Sequence, residues 1–378
     1  MIQDAIINAA TKEWDESSSG WIHEILDALP YWARFVELKS RKVYLNARMK
    51  EDLNRDDHDL LTHVDAEGCF GCNHCIRVIA ENTAMSVEKE RKIGSRFFQV
   101  RNVPIKNHEG ELFGVLETFV DITPRKELEE RLIRNKVKLD RDLDFSRLLQ
   151  EKILPANANF SHVFVDYIYR PSEILSGDMF DIFDVQDGRY TGMYISDVVG
   201  HGVSASLLTM FIRQTMRALK DESNSPAEVL KKLHKAFSDL ELEADKYFTI
   251  VYAVYDHESK VLRYANGGHI CMPLLKRFDG TIDILEGSGY PISSLFAQVD
   301  FQEMETEIHS DDRLLLFTDG LLEAKGDQGE QFGMERLLHV VRETKSDANL
   351  IGNIDLALRL FAEDEQKDDF AMMKIRFF

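Results

Sequence analysis

Strand-like runs separated by tight turns fill the second half of this chain. After residue 157, apolar and β-branched residues form short strand-like runs that alternate with turns and helical stretches. These runs are VFVDYIY, MFDIFDV, GMYISDV, FTIVYAVYD, VLRYANGG, MPLLKRF, RLLLFTDG and FAMMKIRFF. The turn-forming QDGR and FDGT join neighbouring runs as hairpins. Hairpins favour antiparallel sheets over a doubly wound parallel sheet.

Two amphipathic segments between these runs predict helices. In residues 203–219 and 226–240, apolar side chains recur at steps of three and four. This period is typical of a helix that buries one face. Sheets with helices outside them predict a layered α/β sandwich for residues 156–378.

Four of the turns carry an aspartate at the end of an apolar run or beside a glycine. They are SGD at Asp178, YISDVVGHG at Asp197, LLLFTDG at Asp319 and KDDF at Asp368. Carboxylate oxygens suit Mg²⁺ or Mn²⁺, so aspartates that converge from separate strands would form a water-rich metal centre able to clamp a phosphoryl group. The carbonyl of Val198 would add a backbone ligand. Each aspartate alone is also explained as a turn residue.

The ordered segments SGDMFDIF, YISDVVGHGVSASLLT, YANGGHICMPLL, LLLFTDGLLEA and KDDFAMMKI resemble the bacterial PPM-type (protein phosphatase 2C-like) serine phosphatases of the stage II sporulation protein E class. The resemblance implies an antiparallel β-sandwich with two Mn²⁺ or Mg²⁺ ions that hydrolyses phosphoserine or phosphothreonine by a metal-activated water. By motif, Asp178, Asp197, Asp319 and Asp368 match the metal-binding positions, and Val198 matches the carbonyl ligand. The implied substrate is a phosphorylated anti-sigma-factor antagonist in a stress or developmental pathway.

Five further residues near these motifs are weaker candidates. We expect Asp369 to support a metal ligand, and Asp181 to orient a metal-bound water or a ligand. His201 either donates a proton to the leaving oxygen or packs against its own turn, and the packed alternative is preferred. His269 is interpreted as structural, and Arg170 is a candidate phosphate clamp.

Residues 21–123 predict an α+β domain that follows an extension of residues 1–20. A helix around residues 22–29 precedes the strand-like ARFVEL and KVYLNA, and a hairpin formed by RFFQVRNVPI and ELFGVLETFV closes the domain. The segment FFQVRNVPIKNHEGELFGVLETFVDITPRKELEERL resembles the closing hairpin and exit helix of PAS sensory domains. The resemblance implies a sensor whose ligand stays open, and the sequence lacks the flavin-attachment cysteine motif.

Residues 124–155 predict a charged linker helix. Thr123 would cap its start, with Pro124 at the first helical position, and Pro155 would end it. Its apolar residues are spaced by threes and fours in an imperfect heptad. A solvated single helix and a dimeric coiled coil are both consistent with this pattern, and the narrow apolar stripe favours the dimer.

Three cysteines lie together in GCFGCNHC, at Cys69, Cys72 and Cys75. Thiolates at this spacing suit Zn²⁺ or an iron–sulfur cluster, although the motif defines no fourth ligand. A redox switch and ordinary loop cysteines are the alternatives. With four cysteines in all, a reducing compartment fits better than a disulfide framework.

Composition excludes some classes of function. A formal charge of −20 without an extended basic block argues against nucleic acid as a partner. No apolar run reaches the roughly 18 residues of a membrane helix, so we expect a cytoplasmic protein. The leading hypothesis is a sensor-regulated, dimeric phosphatase. The alternatives are a catalytically inactive scaffold, which the intact aspartates disfavour, and a small-molecule phosphatase, for which no GxxxxGK[ST] loop is present.

Overall fold

The computed structural model of the chain describes residues 19–39, 42–53, 83, 85–106, 109–155, 159–160, 162–345, 349–362 and 368–378. The chain divides into two compact units, Met1–Lys138 and Leu139–Phe378. The first unit has one sheet and the second has two, and each unit has a hydrophobic core of its own. Within the described ranges, no helix combines the length and apolarity that a membrane crossing requires.

The first unit is built on one antiparallel sheet. Its elements are α1 (Ser19–Asp27), β1 (Trp32–Glu37), β2 (Val43–Leu45), α2 (Ala47–Leu53), β3 (Val87–Ile93), β4 (Arg96–Lys106) and β5 (Leu112–Asp121). The strand order is β2-β1-β5-β4-β3. Ala33 and Phe35 pack on the face that contacts α1, whereas Trp32 and Val36 pack on the other face with Met49 of α2. The predicted strand pair and closing hairpin are confirmed.

The cysteine cluster cannot be placed on this sheet. Cys69, Cys72 and Cys75 lie outside the described residues, so their role stays a prediction. In the part of the chain that the structure describes, Cys271 is a free cysteine and is buried.

A 31-residue helix, α3 (Thr123–Ile153), follows β5 and ends before Pro155, as predicted. The predicted cap at its start is wrong. The helix begins at Thr123 itself, and the Thr123 hydroxyl accepts a hydrogen bond from the Phe97 N–H of β4 (2.8 Å). The Asp121 carboxylate instead accepts from the Thr123 N–H (2.8 Å). The first turn of α3 is therefore tied to the sheet of the first unit.

The second unit contains two six-stranded antiparallel sheets. Its strands are β6 (Asn159–Phe160), β7 (Val163–Arg170), β8 (Asp178–Val185), β9 (Tyr190–Val198), β10 (Tyr247–Asp256), β11 (Val261–Gly267), β12 (Leu274–Lys276), β13 (Ile282–Ile284), β14 (Ile292–Ser293), β15 (Glu303–Glu307), β16 (Arg313–Phe317) and β17 (Phe370–Phe377). One sheet has the order β15-β11-β10-β9-β8, with β14 on β10, and the other has the order β13-β12-β16-β17-β7-β6. The predicted antiparallel pairing is confirmed.

Helices cover the outer face of each sheet. They are α4 (Gly202–Leu219), α5 (Pro226–Ser238), α6 (Gly320–Glu323), α7 (Gly333–Glu343) and α8 (Leu350–Phe361). The two faces of β8 pack in different layers. Phe180 and Ile182 pack between the two sheets, whereas Met179 and Phe183 pack with α4 and α5. The helices α6, α7 and α8 pack on the second sheet. The unit is thus an α/β/β/α sandwich, as the strand and helix patterns predict.

Candidate metal centre

The ends of four strands bring the predicted aspartates together at one end of the sandwich. Asp178 begins β8, and the antiparallel register places it directly opposite Asp197 of β9. The strand β16 ends two residues before Asp319, and its partner β17 begins two residues after Asp368. Asp319 and Asp368 both interact electrostatically with Asp197. The structure therefore gathers all four carboxylates from two different sheets.

The pair Asp178 and Asp197 forms the fixed part of this cluster. Residues directly opposite in an antiparallel pair have Cβ atoms about 4.5–5.5 Å apart, with both side chains on one face. Asp178 is buried, and its Oδ2 accepts a hydrogen bond from the Thr318 hydroxyl (2.7 Å). The Asp178 N–H donates to the Ser176 hydroxyl (3.0 Å). Its carboxylate is thus held in one orientation.

Burial and mutual repulsion raise the pKa values of Asp178, Asp197 and Asp319. Burial, followed by the charge of Asp197, raises the pKa of Asp178 well above its usual range. Burial raises the pKa of Asp197 to about 7, with further contributions from Asp319 and Asp368. Burial and the charge of Asp368 also raise the pKa of Asp319. A nearby cation would reverse these shifts, because it stabilises the ionised forms.

The donor atoms fit a hydrated divalent cation. No three acidic, histidine or cysteine side chains of the described residues close around one point, as they would in a full protein cage. Mg²⁺ usually keeps several waters and takes one or two carboxylates, so an open carboxylate cluster suits it. Two backbone carbonyl oxygens lie close to Gly177, the residue before Asp178. A Cβ at Gly177 would lie 3.0 Å from the Val198 carbonyl oxygen and 3.1 Å from that of Gly200.

A close backbone contact holds Asp319 beside Asp368. A Cβ at Gly320 would lie 1.9 Å from the carbonyl oxygen of Asp369, so no larger residue fits there without a backbone shift. Thr318 fastens the same junction, since its N–H donates to the Ala371 carbonyl (3.0 Å) and its hydroxyl accepts from the Ala371 N–H (2.9 Å). Thr318 was not predicted. It immediately precedes Asp319, which is the signal that could have drawn attention to it.

Asp369 holds the segment that leads into Asp178. Its Oδ1 accepts hydrogen bonds from the N–H and hydroxyl of Ser172 (2.8 and 2.9 Å). Its Oδ2 accepts from the Gly177 N–H (2.6 Å). These bonds occupy both oxygens of Asp369 with protein donors. Asp369 therefore positions Asp178 through the backbone.

The prediction that Asp181 orients a metal-bound water or ligand is wrong. Asp181 lies three residues after Asp178 on β8, so its side chain points to the opposite face of the sheet. Its carboxylate accepts two hydrogen bonds from the guanidinium of Arg217 on α4 (2.7 and 3.0 Å). The Nε of Arg213 lies 3.4 Å from the same carboxylate. Asp181 therefore anchors α4 to the sheet.

The two histidines differ in their surroundings. His269 is buried, with Nδ1 2.9 Å from the Thr249 hydroxyl and Nε2 3.0 Å from the Phe317 carbonyl oxygen. Burial lowers the pKa of His269 to about 4, so its ring is neutral at physiological pH. His201, in contrast, is exposed just before α4, and its Nδ1 lies 3.0 Å from Glu173 Oε1. The preferred packed interpretation of His201 is therefore wrong.

Arg170 interacts with a helix of its own unit. Its Nη2 lies 2.5 Å from Asp355 Oδ1 of α8. This ion pair engages the guanidinium, and the geometry gives no support to the phosphate-clamp prediction.

Gln150, in the last turn of α3, also reaches the metal centre. Its side-chain amide donates to the Ser176 carbonyl (2.8 Å) and the Thr209 hydroxyl (3.2 Å). Its carbonyl oxygen accepts from the Ser176 N–H (3.1 Å). Gln150 is buried, although it lies in a charged, mostly exposed helix. A glutamine in such a helix gives no sequence signal of burial, so it was missed.

The model of the Stage II sporulation protein E (SpoIIE) family matches residues 187–378, just over half of the chain. The chain belongs to the SpoIIE family. Three of the four aspartates, Asp197, Asp319 and Asp368, fall within the matched residues. Asp178 lies outside the match, but the antiparallel register places it directly opposite the matched Asp197.

Two curated relatives resemble the second half of the chain. Phosphoserine phosphatase RsbP of Bacillus subtilis (strain 168) is 33% identical over 193 residues, which cover 50% of this chain and 47% of RsbP. Phosphoserine phosphatase RsbU of the same strain is 26% identical over 208 residues, which cover 54% of this chain and 61% of RsbU. The chain thus spans about half the length of the curated relatives it matches.

Solved structures show the fold. The SiaA-PP2C domain of Pseudomonas aeruginosa matches with a TM-score of 0.55 and 22% identity, and the match covers 65% of this chain and 99% of that domain. A Bacillus subtilis SpoIIE structure, with the PP2C phosphatase domain and a fragment of the regulatory domain, matches with a TM-score of 0.51 and 12% identity. That match covers 94% of this chain and 86% of the solved SpoIIE fragment. The second unit therefore has a PP2C-like α/β fold.

Proposed function

We propose that the second unit is a metal-dependent phosphatase that hydrolyses phosphoserine or phosphothreonine in a protein substrate. The observation that carries this proposal is the convergence of Asp178, Asp197, Asp319 and Asp368, whose mutual repulsion a cation would relieve. These carboxylates and the Val198 carbonyl would hold two Mn²⁺ or Mg²⁺ ions. When bound, the ions would polarise the phosphoryl oxygens and activate a water.

Protein hydrogen bonds orient the Asp178 carboxylate and the backbone before it. Thr318 fixes the Asp178 carboxylate from one side, and Asp369 fixes the preceding backbone at Gly177 from the other. The buried Asp178 carboxylate, opposite the half-buried Asp197, is thus oriented before any ion arrives. Preorganised ligands lose little freedom on binding, which favours both metal affinity and the electrostatic stabilisation of a phosphoryl transition state.

Hydrolysis of p-nitrophenyl phosphate tests the reaction. We expect the purified chain to hydrolyse this ester with Mn²⁺ or Mg²⁺, and Asp319→Asn to lose the activity while its circular dichroism is unchanged. Asp300→Asn is the matched control, because Asp300 is an exposed aspartate whose partner is the surface residue Lys231. A wild-type chain that is inert with every divalent metal would favour the inactive scaffold.

The proposed substrate is a phosphorylated anti-sigma-factor antagonist. The names of RsbP and RsbU as phosphoserine phosphatases support phosphoserine as the substrate. The pathway would be partner switching in a stress or developmental response in the cytoplasm. Incubation of the chain with the serine-phosphorylated antagonist encoded in the same genome should release inorganic phosphate, and persistence of the phosphoprotein would contradict the assignment.

We also propose that the first unit is a PAS-like sensor and that α3 pairs as a coiled coil in a homodimer. The hairpin of β4 and β5 leads directly into α3, which supports the sensor assignment. Leu128, Leu132 and Leu139 are exposed along α3, which supports the dimer. Light scattering should show a dimer that Leu132→Glu weakens, and a wild-type monomer at all concentrations would exclude the coiled coil.

A bound Zn²⁺ or iron–sulfur cluster at Cys69, Cys72 and Cys75 stays a proposal. Metal analysis of the full chain, purified without oxygen, should find the ion in the wild type and lose it in Cys72→Ser. A metal-free wild type would leave the redox-switch and loop-cysteine interpretations.

A further inference from the structure

Exposed apolar side chains lie beside the metal centre on the side of α4. We call the following six residues the apolar rim: Val199, Val203, Leu207, Leu242, Tyr247 and Leu295. Five of the six are valines or leucines, which are usually buried, and large exposed apolar patches in soluble proteins commonly mark interaction sites.

Hydrogen bonds and strand pairing connect several segments of the rim to one another and to the centre. Val199 lies two residues after Asp197, and its N–H donates to the Tyr247 carbonyl (3.1 Å). Tyr247 begins β10 and lies opposite Ser293 of β14. The hydroxyl of the next residue, Ser294, donates to the Leu242 carbonyl (3.2 Å). Leu295 follows directly, so the rim runs from the strand end that carries Asp197 to the loop after β14.

The start of α4 extends the rim away from the strands. Val203 and Leu207 lie one helical turn apart, and residues at this spacing share one side of a helix. Ile212 and Met216 of the same helix are buried against α5 and the sheet. The helix therefore buries its core face completely and leaves a second apolar strip beside the metal centre.

The charges around the rim are mainly acidic. Glu173, Glu241, Glu243 and Asp245 are exposed near it, and the charge of Lys246 is paired with Asp245 (2.9 Å). A small phosphate ester gains nothing from apolar and acidic surroundings, because its recognition depends on the metal ions. A folded protein can cover the apolar residues and place basic side chains against the acidic ones. The surroundings of the centre thus favour a protein substrate.

We propose that the apolar rim docks the folded phosphoprotein substrate, which presents an apolar patch and basic residues beside its phosphoserine. This inference rests on the phosphatase function proposed above. It places substrate selection on side chains that do not touch the ions, so selection and chemistry are separable by mutation.

The test compares two substrates in the full chain loaded with Mn²⁺. The double variant Leu207→Asp/Leu295→Asp places charges on two rim residues that are each 65% exposed. The ratio of kcat/KM for the serine-phosphorylated antagonist to kcat/KM for p-nitrophenyl phosphate should fall by about tenfold or more, because truncated or charged hot-spot residues cost interfaces this much. Higher salt should also lower the ratio in the wild type.

Leu360→Asp is the matched control, since Leu360 is 76% exposed on α8, which packs on the other sheet. It should leave the ratio unchanged. An unchanged ratio in the rim variant, or a wild type that cleaves only p-nitrophenyl phosphate, would overturn docking while preserving the phosphatase. Loss of self-association in the rim variant without a change in ratio would identify the rim as a contact between copies and also overturn docking. Inactivity of the wild type on both substrates would overturn both proposals.

Discussion

Acidification should destabilise the second unit through His269. Its ring is buried between β10 and the end of β16, where Thr249 and the Phe317 carbonyl contact its two nitrogens. Burial penalises the charged imidazolium and lowers the pKa of His269 from 6.5 to about 4. In the unfolded chain, the imidazole of His269 therefore binds a proton below about pH 6.5. In the folded chain, the same imidazole binds a proton only below about pH 4.

The sign and size of the effect follow from this difference. The stabilising contribution is complete above the unfolded pKa of 6.5 and is lost as the pH falls towards the folded pKa of about 4. Each pKa unit corresponds to about 1.4 kcal/mol, so the shift amounts to about 3 kcal/mol. Neutral His269→Gln cannot titrate, so its free energy of unfolding should lack this component.

Urea unfolding from pH 7.5 to pH 4, with a chelator present, measures the prediction. The difference in unfolding free energy between wild type and His269→Gln isolates the histidine, because the aspartate cluster titrates in both proteins. On acidification, the unfolding free energy of the wild type should fall by about 3 kcal/mol relative to that of His269→Gln. A difference that stays constant across this range would refute the burial argument, whatever the absolute stabilities are.

Three further predictions concern the residues that shape the centre. Gly320→Ala should lower the unfolding free energy by about 1–3 kcal/mol and reduce hydrolysis, because the added Cβ would collide with the Asp369 carbonyl. Gly352→Ala is the control and should have neither effect, because the space around its Cβ is open. Arg217→Met should lower the unfolding free energy by about 1–3 kcal/mol, because it removes two hydrogen bonds to the buried Asp181. Calorimetry should show that the double variant Arg217→Met/Asp181→Leu regains part of this stability. Mn²⁺ should raise the thermal midpoint of wild type more than that of Asp197→Asn, and equal shifts would show that the ion binds elsewhere.

Local periodicity predicted the strands and helices whose burial pattern is regular. Short runs of apolar and β-branched residues marked β8, β9 and β10, and a three-to-four spacing marked α4 and α5. The same spacing is present in α7 and α8, for example at Leu337 and Val341, so these helices were missed although a signal existed. In contrast, β15 reads EMETE and becomes a strand by pairing with β11, which the sequence of an exposed edge does not reveal.

The site was predictable as a set of residue types but not as a set of contacts. The strand parity that separates Asp181 from Asp178 could have been read from the sequence, because a step of three along a strand reverses the face. The bonds of Asp369 to Ser172 and Gly177 join residues almost 200 positions apart, and no local pattern encodes them. The same holds for Gln150, whose burial depends entirely on tertiary structure.

The position of Gln150 makes a prediction about where the second unit begins. Sequence patterns placed the boundary at residue 156, whereas the compact unit begins at Leu139, within α3. The end of α3 supplies Gln150, which satisfies the N–H and carbonyl of Ser176 two residues before Asp178. Without Gln150, these two polar groups lose their partner, at a cost of about 1–3 kcal/mol each if they stay buried.

A fragment of residues 156–378 should therefore be less stable than one of residues 139–378, and it should bind metal more weakly because the segment before Asp178 is loosened. Ile153 and Leu154 also pack against the core, so truncation removes apolar contacts as well. Gln150→Ala in the longer fragment separates the two causes, since it removes only the hydrogen bonds. If the Mn²⁺ affinity measured by calorimetry is the same in all three proteins, α3 supports the fold without positioning Asp178. If Gln150→Ala alone reproduces the loss of Mn²⁺ affinity, the last turn of the linker helix is part of the metal centre.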